Sequence, residues 1–61
     1  MKDKLKTLME EKNVLQEELA TAVGVSQTFI SYILNGFKTP SLDVAKRIAD
    51  YLEVTVDELI D

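Results

Sequence analysis

The sequence predicts an all-α fold, a compact five-helix bundle. Three observations lead there. Apolar residues recur three and four positions apart rather than in alternation. Gly24 and Gly36 each follow an apolar periodic segment and Pro40-Ser41 opens another, which is the punctuation of helix ends. No turn dipeptide joins two strand-like runs, because Asn35-Gly36 closes a helical pattern in which glycine supplies a left-handed position.

The first helix is expected over roughly residues 2–12, with Leu5, Leu8 and Met9 on one face. The second, over residues 16–23, turns Leu19, Ala20 and Val23 inward. A tight turn at Gly24-Val25 leads to Ser26, whose hydroxyl caps a third helix over residues 27–35 with Ile30, Ile33 and Leu34 inward. Ser41 caps the fourth, which carries Leu42, Ala45, Ile48, Ala49 and Leu52 at helical spacing. The fifth is short: Thr55 and Glu58 have the spacing of a capping box, and Leu59-Ile60 follow.

A chain of 61 residues has room for one small domain, expected over residues 1–61. Cysteine and histidine are both absent, which removes disulfides, thiolate metal sites, the commonest metal ligand and the commonest acid-base group near neutral pH. So short a chain can hardly wall a catalytic cleft, so no enzyme, cofactor, metal or small-molecule substrate is expected. The longest apolar run falls far short of the ~20 residues that span a bilayer, and the first residues form no export signal, which points to the cytoplasm. Net charge is −4, yet residues 1–38 are neutral and the excess acid lies in residues 39–61. A strong non-specific grip on phosphate is therefore not expected.

Two short helices around a glycine turn, the second rich in small polar residues, form a helix-turn-helix at helices two and three. Ala20 must be small where the second helix of the pair crosses, Gly24 takes a positive φ, and Leu19, Val23, Val25, Ile30 and Ile33 close a wedge that fixes the interhelical angle. With these residues in place the chain resembles the Cro/repressor-type domains of the lambda-repressor-like family over nearly its full length. The matching marks are residues 16–20 (QEELA), 24–26 (GVS), 30–33 (ISYI), Asn35-Gly36, Pro40-Ser41 and residues 56–59 (VDEL). The resemblance implies a transcriptional regulator of repressor type. It would bind a pseudo-palindromic operator in double-stranded DNA as a homodimer, with residues 27–34 as the recognition helix in the major groove.

On that resemblance the base-contacting candidates are Gln27, Thr28, Phe29 and Tyr32. The Gln27 amide can pair bidentately with adenine, and Thr28 can meet a base or a thymine methyl. Phe29 reads either as a thymine contact or as an exposed ring; Tyr32 reads as packing on its own helix or as a base contact. The phosphate-contacting candidates are Gln16, Ser26, Ser31, Asn35, Lys38, Thr39 and Ser41, with Lys38 the one full positive charge among them. Lys2, Lys4 and Lys6 read as a solvated face. Tyr51, Val54, Val56 and Ile60 either finish the core against helix one or form the dimer interface.

Several positions depart from the family pattern. Leu15 stands where Ser or Thr is usual, and Phe37 where a basic residue is usual. Met9 and Leu34 together replace an Arg and a Glu that can form a buried ion pair, an exchange that is often neutral or stabilising. Each change removes electrostatic affinity, so DNA binding should be weaker and less salt-dependent than is typical. Leu15, Phe29 and Phe37 also support an alternative, in which the same fold serves as a protein–protein interaction module.

Overall fold

The computed structural model describes residues 1–60 and is helical throughout, with no strand among the described residues. Asp61, the last residue of the expected domain, lies outside them. Four α-helices form: α1 (Lys2–Lys12), α2 (Gln16–Val23), α3 (Gln27–Leu34) and α4 (Leu42–Leu52). Where a fifth helix was expected there is one 3-10 turn, Val56–Glu58. Its capping box forms as expected: Glu58 accepts from the Thr55 backbone N–H at 2.7 Å, and Thr55 Oγ1 accepts from the Glu58 N–H at 3.3 Å. The turn stays 3-10 because Leu59, fully buried, must enter the core at once, and its N–H bonds three residues back to Val56 at 2.9 Å.

The core joins Leu5 and Met9 of α1, Leu19, Ala20 and Val23 of α2, Ile30 and Ile33 of α3, Ile48, Ala49 and Leu52 of α4, and Leu59. α2 packs against both α3 and α4, α1 packs against the same two helices, and the final turn packs on α4. Leu8 and Leu34 sit half-buried at its edge. Leu42, expected to share the inward stripe of α4, is instead 63% exposed. It is the first residue of its helix, and helical side chains tilt toward the N-terminus, which carries this one past the end of the bundle.

All four α-helices end in the same way. Asn13 (φ 55°), Gly24 (80°), Gly36 (79°) and Glu53 (59°) take the left-handed conformation. The next residue's N–H then returns to a carbonyl five positions back: Val14 to Met9 at 2.9 Å, Val25 to Ala20 at 3.0 Å, Phe37 to Tyr32 at 2.8 Å, and Val54 to Ala49 at 2.9 Å. This reversal satisfies helix-end carbonyls and drops the following apolar side chain onto the helix just left. The three valines are half-buried against the core. Phe37 is 76% exposed and meets the Tyr32 ring edge-to-face at 6.2 Å, so α3 is closed by an aromatic pair on the surface.

The starts of α3 and α4 are capped as the sequence indicates, with Ser26 Oγ accepting from the Phe29 N–H at 3.0 Å and Ser41 Oγ from the Val44 N–H at 3.3 Å. Glu53 carries a Cβ in a left-handed position that glycine occupies without strain. Glu53→Gly is therefore expected to raise stability by about 0.5–1 kcal/mol, and Gly24→Ala to lower it by about 1 kcal/mol or more, in urea unfolding monitored by circular dichroism.

Candidate nucleic-acid interface

The reversal at Gly24 and the Ser26 cap set the start of α3 beside the start of α2. An open groove of about 860 Å³ runs there, and Gln16, Gln27, Leu34, Asn35, Met9 and Lys6 all line it. The structure thus brings together three of the sequence-predicted contact residues, Gln16, Gln27 and Asn35. Gln27 and Thr28, the first two residues of α3, are exposed, and Gln16, the first of α2, is half-buried. α3 carries no charged side chain.

Leu15 supplies no side-chain cap to α2, so the first turn's N–H groups there have no side-chain oxygen over them. The hydroxyls of Ser26 and Ser41 accept cap hydrogen bonds with their oxygens, and each keeps its O–H to donate. Asn35 turns inward on its own helix: Nδ2 donates to the Ser31 carbonyl at 2.8 Å and lies 3.4 Å from Ser31 Oγ. Ser31 is half-buried, while Lys38 and Thr39 are exposed in the loop after α3.

Phe29 is not the exposed ring that is one of its two readings. It is half-buried and packed against the core, because it lies four residues before Ile33 and shares that buried stripe. Tyr32, 42% exposed, is paired with Phe37. Met9 lies in the core with Leu34 against it, so the apolar pair fills the place where the family pattern has an Arg and a Glu. No buried side-chain polar atom among the described residues lacks a partner.

The four residues at the carboxyl-terminal end divide. Val54 and Val56 are half-buried against the core, whereas Tyr51 and Ile60 are 40% and 51% exposed. The Tyr51 hydroxyl donates to Glu18 Oε2 on the first turn of α2. One turn earlier on α4, Arg47 Nη1 donates to the Val23 carbonyl at the last turn of α2 at 3.4 Å, and Arg47 Nη2 pairs with Asp43 at 3.2 Å. The guanidinium also offsets the negative end of the α2 dipole. α4 therefore holds α2 at both ends, and α2 in turn supports α3. Neither contact is visible in the sequence, where Arg47 and Tyr51 are two exposed residues of one helix with nothing to say which helix faces them.

The hydrogen bond to Glu18, with partial desolvation and the carboxylate's charge adding to it, raises the Tyr51 pKa above the ordinary tyrosine value of 10.0. A raised phenol pKa means that folding favours the protonated form. The contribution is complete below pH ~10 and disappears as the pH climbs through the folded value. The chain has two tyrosines. In a Tyr32→Phe background, ultraviolet titration should give a midpoint above that of a free tyrosine, and adding Glu18→Gln should bring it down.

Comparison with known proteins adds three findings. The sequence model of the helix-turn-helix family matches residues 5–59. The chain is 40% identical over 58 residues to the HTH-type transcriptional activator BcrR of Enterococcus faecalis, a match covering 95% of this chain and 28% of that protein. It is 39% identical over 59 residues to an uncharacterized HTH-type transcriptional regulator of Methanocaldococcus jannaschii, covering 97% of this chain and 89% of the relative. The chain thus spans little more than a quarter of one relative and nearly all of the other. No solved structure matches it.

Proposed function

Since the chain belongs to the helix-turn-helix family, of Cro/repressor type, we propose that it is a DNA-binding transcription regulator whose α3 enters the major groove. The observation that carries this reading is the pairing of exposed Gln27 at the start of α3 with Gln16 in one groove, with Thr28 exposed beside Gln27. In that arrangement the residues that head a recognition helix face outward, and the preceding helix presents its N-terminus beside them. The unit doing this is residues 1–61 acting as one domain. Gln27 reads adenine through its amide and Thr28 a neighbouring base or thymine methyl. Ser26, Lys38, Thr39 and Ser41 hold phosphates, joined by Gln16 at the start of α2. Asn35 and Ser31 serve instead to shape the end of α3, since their polar atoms face each other.

A second copy completes the site. One module makes too few contacts for tight specific binding, and Tyr51 and Ile60 offer exposed apolar surface close to the carboxyl terminus for two-fold pairing. Occupancy of an operator by such a dimer is enough to repress transcription. BcrR, named as an activator, is a longer protein in which the matching segment is 28% of the whole.

Selection from random duplex DNA at low salt tests the reading, run beside a Gln27→Ala, Thr28→Ala variant. The expected result is a two-fold symmetric site with half-sites ~34–36 Å apart. The variant should lose about 1–3 kcal/mol of discrimination per contacted base while keeping its circular dichroism spectrum. Recovery of no site by the folded wild-type chain would overturn the proposal in favour of the protein-interaction module, with exposed Leu15 and Phe37 as its anchors.

A further inference from the structure

We infer that Lys2 and Lys6 of α1 are DNA-phosphate contacts that extend the candidate interface beyond the helix-turn-helix, an assignment that rests on the DNA-binding reading above. In the sequence these lysines belong to a helix remote from the motif. The structure moves them next to it. A Cβ built on Gly36 would lie 3.1 Å from Lys2 Cδ and 3.8 Å from Lys2 Nζ, so this side chain lies over the reversal that ends α3. Lys6 lines the same groove as Gln16, Gln27 and Asn35. The two are four residues apart on α1 and share one face of it.

Two further observations indicate what these cations are for. Among the described residues neither makes an ion pair, whereas Arg47 is paired with Asp43 at 3.2 Å. Lys4, by contrast, is committed to the opposite end of the chain, donating from Nζ to the Ile60 carbonyl at 2.6 Å. Glu10 and Glu17 also line the groove, and Lys6 offsets one of these two negative charges, which oppose a phosphate strand. With α3 in a major groove ~12 Å wide, a phosphate strand runs along each side of the helix. Lys2 and Lys6 join Lys38 around the segment after α3, and supply there the positive charge that α3 and residue 37 lack. They contribute affinity rather than sequence discrimination, because a lysine ammonium on a phosphate carries no base information.

Salt dependence of binding to a labelled mixed-sequence duplex, followed by fluorescence anisotropy, separates this from general electrostatics. Lys2→Gln and Lys6→Gln should each reduce the slope of log affinity against log salt by about 0.9 and weaken binding several-fold at low salt. Lys4→Gln removes the same charge and should leave the slope unchanged, while Lys2→Arg and Lys6→Arg should retain the wild-type slope. Slopes for Lys2→Gln and Lys6→Gln equal to that of Lys4→Gln would overturn the assignment and leave the DNA-binding reading intact. Failure of the wild-type chain to bind the duplex at all would overturn both.

Discussion

The carbonyl of Ala20 accepts two backbone hydrogen bonds, from Gly24 at 2.9 Å and Val25 at 3.0 Å, and the arrangement of the interface depends on that reversal. It ends α2, turns the chain through a left-handed residue, and delivers Ser26 in the extended conformation that caps α3. Ala20 is nearly fully buried, so a larger side chain there would push α3 away from α2. Changing the angle between these helices would separate Gln16 from Gln27, and the groove they share would cease to exist as a unit.

The same reversal at the ends of α1, α3 and α4 explains how a chain of 61 residues closes a core without disulfides. Each reversal ends a helix, satisfies its carbonyls and places one apolar residue at a defined point. For α1, α2 and α4 that residue is a valine at the edge of the core. For α3 it is Phe37, which packs on Tyr32 instead, giving that helix an aromatic end on the surface. Phe37 thus has a local structural role as well as taking the place of a basic residue.

Support for the interface comes from behind it. Arg47 and Tyr51 hold the two ends of α2 from α4, and the apolar Met9 and Leu34 fill the space between α1 and α3. The exchange of an ion pair for apolar packing leaves Met9 and Leu34 in a groove that is also lined by polar amides, Lys6, Glu10 and Glu17. With one lysine against two glutamates, such a groove offers less counterion release to a DNA ligand than one lined by basic residues.

The sequence by itself determined what depends on neighbours along the chain: the extents of α1, α2 and α4, the Ser26 and Ser41 caps, the Thr55–Glu58 capping box, and the positive φ at Gly24 and Gly36. Through the family resemblance it also offered Gln27 and Thr28 as base-contacting candidates, and both are exposed in the structure. Only the tertiary structure decided how far each stripe reaches the core. It left Leu42 beyond the bundle's end, drew Phe29 half inside, and shortened the fifth helix to one 3-10 turn because Leu59 had to be buried immediately. It alone paired Tyr51 with Glu18 and laid Lys2 over Gly36. Caps and reversals are short-range hydrogen bonds written in local sequence, whereas those contacts join residues more than thirty positions apart, whose meeting depends on how whole helices pack.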